Sequence, residues 1–152
     1  MQTSKYVRDS LTSHVEILMP AAMNGYERLF GGQLIQWIDV VAAVVARRHS
    51  GCEVTTACVD NLVFQAPAHV NDTLYMEGRV TWVGRTSMEV RVDTYVESLG
   101  GDRRAVNRAY LVMVALDKTT HKPTPVPGLI LEMQEEREEW DAGRLRQMRR
   151  KG

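Results

Sequence analysis

The chain has 152 residues, and its 19 lysines and arginines balance 19 aspartates and glutamates. One domain's worth of chain with 44% hydrophobic and 25% charged residues describes a globular protein and excludes wholesale disorder. A net charge of zero argues against a general nucleic-acid binder, and no stretch reaches the roughly 20 apolar residues of a membrane span.

The first dozen residues are polar and read as a loose lead-in, with no apolar run that would mark a secretory signal. His14–Met19 reads as an extended segment stopped by Pro20, and an irregular stretch leads to Gly32. From Gln33 to His49, Leu34, Trp37, Ile38, Val41, Ala42 and Val45 recur at helical spacing, between the Gly31–Gly32 pair and Ser50–Gly51. Between Leu34 and Ala46 only Gln36 and Asp39 are polar. A helix apolar on nearly every face is expected to be buried on every face, so something must wrap around it.

The strands after the helix can do the wrapping. Glu53–Gln65 is β-branched and reads as a strand ended at Pro67. Thr73–Val83 alternates, with Leu74, Met76, Val80 and Trp82 on one side and Tyr75, Glu77, Arg79 and Thr81 on the other. Thr86–Glu97 alternates more cleanly, Met88, Val90, Val92 and Val96 against Glu89, Arg91, Asp93 and Glu97. Gly84–Arg85 is a tight hairpin turn between them, and Leu99–Arg103 reads as the next hairpin loop. Arg104–Asp117 reads as the last strand, its apolar run from Ala109 to Leu116 implying burial on both faces or against a partner. Pro123, Pro125 and Pro127 then end regular structure.

From Leu131 onward the tail reads as a helix, acidic in its first half and basic in its last, an order that suits the helix dipole. It is expected to be solvated and to fray at Gly143. The whole is an α+β pattern: an antiparallel sheet curled around one central helix, with residues 1–130 as the domain and 131–152 as a charged helical tail. One helix covers only one face of such a sheet, so self-association is expected. Cys52 and Cys58, with five residues between them, form neither a CxxC nor a disulfide framework, which suits reduced thiols in the cytoplasm.

Asp39 is the most informative residue. Its neighbours on the helix surface are Ile35, Ala43 and Ala46, so it is either a desolvated base or a carboxylate that reaches a donor and caps part of the fold. Gly31 and Gly32 offer either free N–H groups for an oxyanion or a plain turn into the helix. Asn24 could orient water or a carbonyl, or serve the turn it sits in. Gly84, Arg85, Thr86 and Ser87 combine a turn, a guanidinium and two hydroxyls, which can hold a phosphate but need no ligand to explain them. His14, His49, His69 and His121 are scattered, so no metal site is expected. Ser87 and Ser98 lack a nucleophile elbow, and no P-loop or GxGxxG is present.

Asn24-Gly-Tyr-Glu-Arg-Leu-Phe30-Gly31-Gly32, followed by Asp39, resembles the signature of hotdog-fold acyl-CoA thioesterases of the bacterial YciA type and the related cytosolic brain-type enzymes. The blocks Ala46–Ser50, Thr56–Asp60 with Phe64 and Pro67, and Gly84–Met88 are also similar, so the likeness runs from about His14 to Pro127. Gly25-Tyr26-Glu27-Arg28 departs from it, standing where smaller residues are expected. The resemblance implies a hotdog fold, a side-by-side homodimer with sites at its interface, and a trimer of dimers. It implies Asp39 as the catalytic carboxylate, acting either as general base on water or as nucleophile through a mixed anhydride, Asn24 across the interface positioning water or thioester, and Gly31–Gly32 polarising the carbonyl. The Gly84–Ser87 turn would meet the nucleotide end of coenzyme A, with no cofactor beyond the substrate's own. A non-catalytic acyl-CoA sensor is the alternative. A dehydratase would call for a histidine beside the acid, and the helix offers none before His49.

Overall fold

The computed structural model describes residues 3–60 and 63–151. Five strands form an antiparallel sheet in the order β2-β4-β5-β6-β3: β2 (Thr12–Ile17), β3 (Glu53–Asp60), β4 (Thr73–Val83), β5 (Ser87–Glu97) and β6 (Arg103–Leu116). Helix α1 (Gly31–Ser50) crosses the inner face of this curled sheet, which is the hotdog arrangement. Leu34, Ile38, Val41, Ala42 and Val45 bury one stripe of α1 against Met76, Val80, Val90, Val92, Leu111 and Met113. The helix sits close because β4 carries no side chain where the two meet. A Cβ on Gly78 would lie 2.8 Å from Val41 Cγ1 and 2.9 Å from Val45 Cγ2. Gly78→Ala is therefore expected to cost about 1–3 kcal/mol by overpacking, read as a lower midpoint in denaturant with an unchanged slope.

Several expectations are corrected. The lead-in is ordered: β1 (Ser4–Tyr6) pairs in parallel with a seventh strand, β7 (Gly128–Ile130), and Val7 and Ser10 are buried. Arg104–Asp117 is thus not the last strand. The third sheet strand ends at Asp60 rather than Gln65, and residues 61 and 62 lie outside the described ones. Helix α1 starts on the glycine pair rather than after it, and it is not buried all round, because Ile35 is 39% and Val40 56% exposed. Its unburied side is open in the single chain.

Two β-bulges change which way side chains point. Alternation alone sends Trp82 inward with Val80, but the pairing shifts between these two residues. Trp82 instead stacks on Trp140, ring centroids 5.9 Å apart, on the outer face. A second shift, between Thr56 and Cys58, puts Thr56 opposite the core residue Met113 and Cys58 opposite Val112. The extra residue, Ala57, lets Thr56 face α1 although Cys58 and Asp60 face outward.

The C-terminal helix α2 (Gln134–Lys151) does not fray at Gly143. Gly143 is buried where the helix touches the sheet, and a Cβ there would lie 2.8 Å from Glu89 Oε1. The polar outer stripe of β5 lies under this helix: Glu89, Arg91 and Asp93 are all buried. Arg146 donates to both Glu89 oxygens at 2.9 and 2.8 Å, Thr81 to Glu89 at 2.6 Å, and Arg91 to Glu139 at 2.6 Å. The apolar run of β6 is therefore covered on both faces, Leu111 by α1 and Tyr110 by α2, where the Tyr110 hydroxyl donates to Glu139 at 3.2 Å.

Candidate active site

The residues singled out from the sequence fall into two places on one protomer. The first surrounds the start of α1. Asn24 and Gly31 line a cavity of about 350 Å³ with Arg28, Leu29, Phe64, Gln65, Ala66, Pro67 and Ala68. Asn24 is held by its loop, since its Oδ1 accepts from the N–H groups of Tyr26 at 2.8 Å and Arg28 at 3.2 Å. Among the described residues nothing takes its side-chain NH2, which is left to meet another group. The departure at Gly25–Arg28 is absorbed by backbone conformation, with Glu27 in the left-handed region at φ 60°.

No side chain caps α1, whose N-cap residue is Phe30. The N–H groups of Gly31 and Gly32 accordingly have no partner within the helix, as at any helix start, and a carbonyl oxygen could take them. Gly31 borders the cavity directly. Gly32 lies against Phe30, whose ring comes within 2.6 Å of the position its Cβ would occupy.

The second place lies farther along the helix. Asp39 is eight residues past Gly31, about 12 Å at 1.5 Å per residue. It is half-buried, and its Oδ1 accepts a hydrogen bond from the Thr56 hydroxyl at 2.6 Å. Thr56 is not among the residues that stand out in the sequence. Its signal is present only as a residue of the Thr56–Asp60 block, and its aim at Asp39 comes from its pairing with the core residue Met113. The pair leaves Asp39 with a second oxygen free of partners among the described residues.

The hairpin turn sits at the same end of the sheet. Ser87 and Thr55 both pair with Val114, so they lie two strand spacings apart, about 10 Å. The turn is tied in place by its backbone: Gly84 N–H donates to Ser87 O, Thr86 O accepts from Ala115, and Arg85 O accepts from Val126. The Arg85 side chain is exposed and has no ion pair among the described residues. In a single chain the structure thus joins Asn24 to Gly31 and Asp39 to Thr56, with the turn near the second pair. It does not bring Asn24 to Asp39.

Residues 26–101 match the family model of the thioesterase superfamily. The uncharacterized acyl-CoA thioester hydrolase YkhA of Bacillus subtilis is 37% identical over 134 residues, 88% of this chain and 77% of its own. The chain belongs to the thioesterase superfamily.

Within that superfamily, a crystal structure of an apo-hexameric acyl-CoA thioesterase superposes with a TM-score of 0.90 at 36% identity, covering 99% of this chain and 96% of the other. An acyl-CoA hydrolase from Staphylococcus aureus, solved with butyryl coenzyme A, coenzyme A and coenzyme A disulfide, gives 0.89 at 32% identity, covering 97% and 90%. That enzyme has also been solved with an asparagine, an aspartate or a threonine replaced by alanine, 15 and 17 residues apart in turn. Asn24, Asp39 and Thr56 have the same spacings. The cytosolic acyl coenzyme A thioester hydrolase of Rattus norvegicus is 29% identical over 146 residues, and the chain spans 38% of its length.

Proposed function

We propose that this superfamily member hydrolyses fatty acyl-CoA thioesters to free acid and coenzyme A. The observation that carries the reading is the half-buried Asp39 carboxylate, held on the central helix by the Thr56 hydroxyl with its second oxygen free of partners among the described residues. Asp39 acts as general base: it takes a proton from water, whose oxygen attacks the thioester carbon. The negative charge that develops on the carbonyl oxygen is met by the N–H groups at Gly31 and Gly32, and the thiolate of coenzyme A leaves. The side-chain NH2 of Asn24 orients the water or the carbonyl. Arg85, with Gly84, Thr86 and Ser87, receives the nucleotide end of coenzyme A. Besides that substrate, the reaction uses no cofactor and no metal.

The site is completed by a second copy. Asn24 lines a cavity that Asp39 does not reach, and the exposed side of α1 with the unpaired edge of β3 suits a homodimer. The hexameric relative supports a trimer of such dimers. The name of the rat relative supports a cytosolic location, and no helix among the described residues is long and apolar enough to cross a membrane.

The test is release of free thiol from short- to long-chain acyl-CoA. Turnover that peaks at one chain length is expected. Binding without turnover would favour a non-catalytic acyl-CoA sensor. In the same assay Thr56→Val, which removes the hydroxyl and keeps the shape, is expected to lower kcat about ten- to a hundredfold with a smaller change in KM.

A further inference from the structure

The last turn of α2 is tied to the strand that carries Thr56. Arg150 Nη2 donates to Asp60 Oδ2 on β3 at 2.8 Å and to Glu89 Oε2 on β5 at 3.0 Å, and its Nε reaches the same Asp60 oxygen at 3.1 Å. β6 runs between those two strands, so this one guanidinium spans a strand and joins its neighbours on either side. The two anchors differ in character. Glu89 is a fixed point, 1% exposed and also held by Arg146 and Thr81. Asp60 ends the edge strand, which in the single chain is hydrogen-bonded on one side only.

β3 needs such an anchor. The bulge interrupts its pairing with β6 between Thr56 and Cys58, and only three paired residues remain beyond it. A bulged edge strand is the part of a sheet most free to shift, and a shift here moves the Thr56 hydroxyl relative to Asp39. Beyond Asp60 the chain continues to Phe64 and Gln65, which line the cavity beside Asn24 and Gly31. The position of Asp60 therefore bears on both halves of the site.

We propose that Arg150 is a positioning residue for the hydrolysis: by pinning Asp60 to the buried Glu89, it holds the end of β3 so that Thr56 keeps its hydrogen bond to Asp39. This rests on the hydrolase reading above. On it, residues 1–130 carry the reaction and the tail from 131 to 152 braces it. A side chain in the tail that never meets substrate then affects the rate and leaves substrate affinity alone.

The experiment measures kcat and KM for butyryl-CoA in the full chain bearing Arg150→Ala, Asp60→Asn, both together, Arg150→Lys or Arg146→Ala, with melting curves for each. Arg150→Ala and Asp60→Asn are each expected to lower kcat about tenfold with KM within about twofold. The double variant should be no slower than the slower single one, because one removes and the other, by losing its charge, weakens the same link. Arg150→Lys, which keeps one cation but not the fork, should recover part of the rate. Arg146→Ala weakens the hold on Glu89 without touching Asp60, so it should melt earlier and keep its kcat. Wild-type kcat in Arg150→Ala overturns the proposal, as do equal losses in the Arg150 and Arg146 variants or additive losses in the double variant. Should Arg150→Ala fail to fold, Asp60→Asn keeps the Arg150–Glu89 bond and gives the same reading. Absence of turnover in the wild type would overturn the hydrolase reading itself and the proposal with it.

Discussion

Asp39→Asn is expected to lower kcat about a thousandfold while the protein folds and binds coenzyme A as before. An amide has the size of the carboxylate, and its oxygen can still accept the Thr56 hydroxyl that now bonds Asp39 at 2.6 Å. It cannot accept a proton from water. The loss should therefore fall on the chemical step, in the range general-base catalysis supplies, about a hundred- to ten-thousandfold. Thiol release checks the rate, and calorimetry with coenzyme A checks binding. A variant that binds and turns over like the wild type would remove Asp39 from the mechanism. A comparison with Thr56→Val separates base from orienter: the threonine variant should be slower than wild type and much faster than Asp39→Asn.

Glu89→Ala is expected to cost about 3–5 kcal/mol of stability. Its carboxylate is almost fully buried and receives Arg146, Arg150 and Thr81 at 2.6–3.0 Å. Truncation leaves two guanidiniums under α2 without their shared partner, and the helix loses its hold on the sheet. The same group makes docking acid-sensitive. Burial pushes the Glu89 carboxyl up, but the hydrogen bonds from Arg146, Thr81 and Arg150, with the charge of Arg146, outweigh it and hold it below the usual carboxylate range. Stability from this lowered group is present in full above its unfolded value, about 4.3, and is lost as pH falls through the lower native value. The gap between wild type and Glu89→Ala should be widest near neutral pH and close in acid. Denaturant titrations from about pH 3 to about pH 8 measure it, and a gap of constant size would contradict the assignment.

The hydrophobic pattern carried the architecture. Alternation in Thr73–Val83 and Ser87–Glu97, with a turn between, specifies a hairpin, and the apolar run from Leu34 to Ala46 demands a sheet to lie in. Asp39, the lone acid of that run, and the glycine pair before it stood out because each broke the pattern around it. What stayed hidden depends on contacts between segments far apart in the chain. A bulge turns Trp82 away from α1, where strict period-two counting places it, and another turns Cys58 and Asp60 outward although Thr56, at the same parity, faces α1.

The ordered tail went unseen for a related reason. Glu89, Arg91 and Asp93 look like a solvated stripe, and the acidic and basic halves of residues 132–151 look like a solvated helix. Each is polar alone; together they bury one another, Glu89 with Arg146 and Arg91 with Glu139. Hydrophobic periodicity is local and sorts residues by whether they avoid water, so one row of letters suffices for helix, strands and the odd carboxylate. Where a buried charge finds its counter-charge, and which residue of β3 meets Asp39, are set by pairings across 17 to 61 positions, and those exist only once the chain has folded.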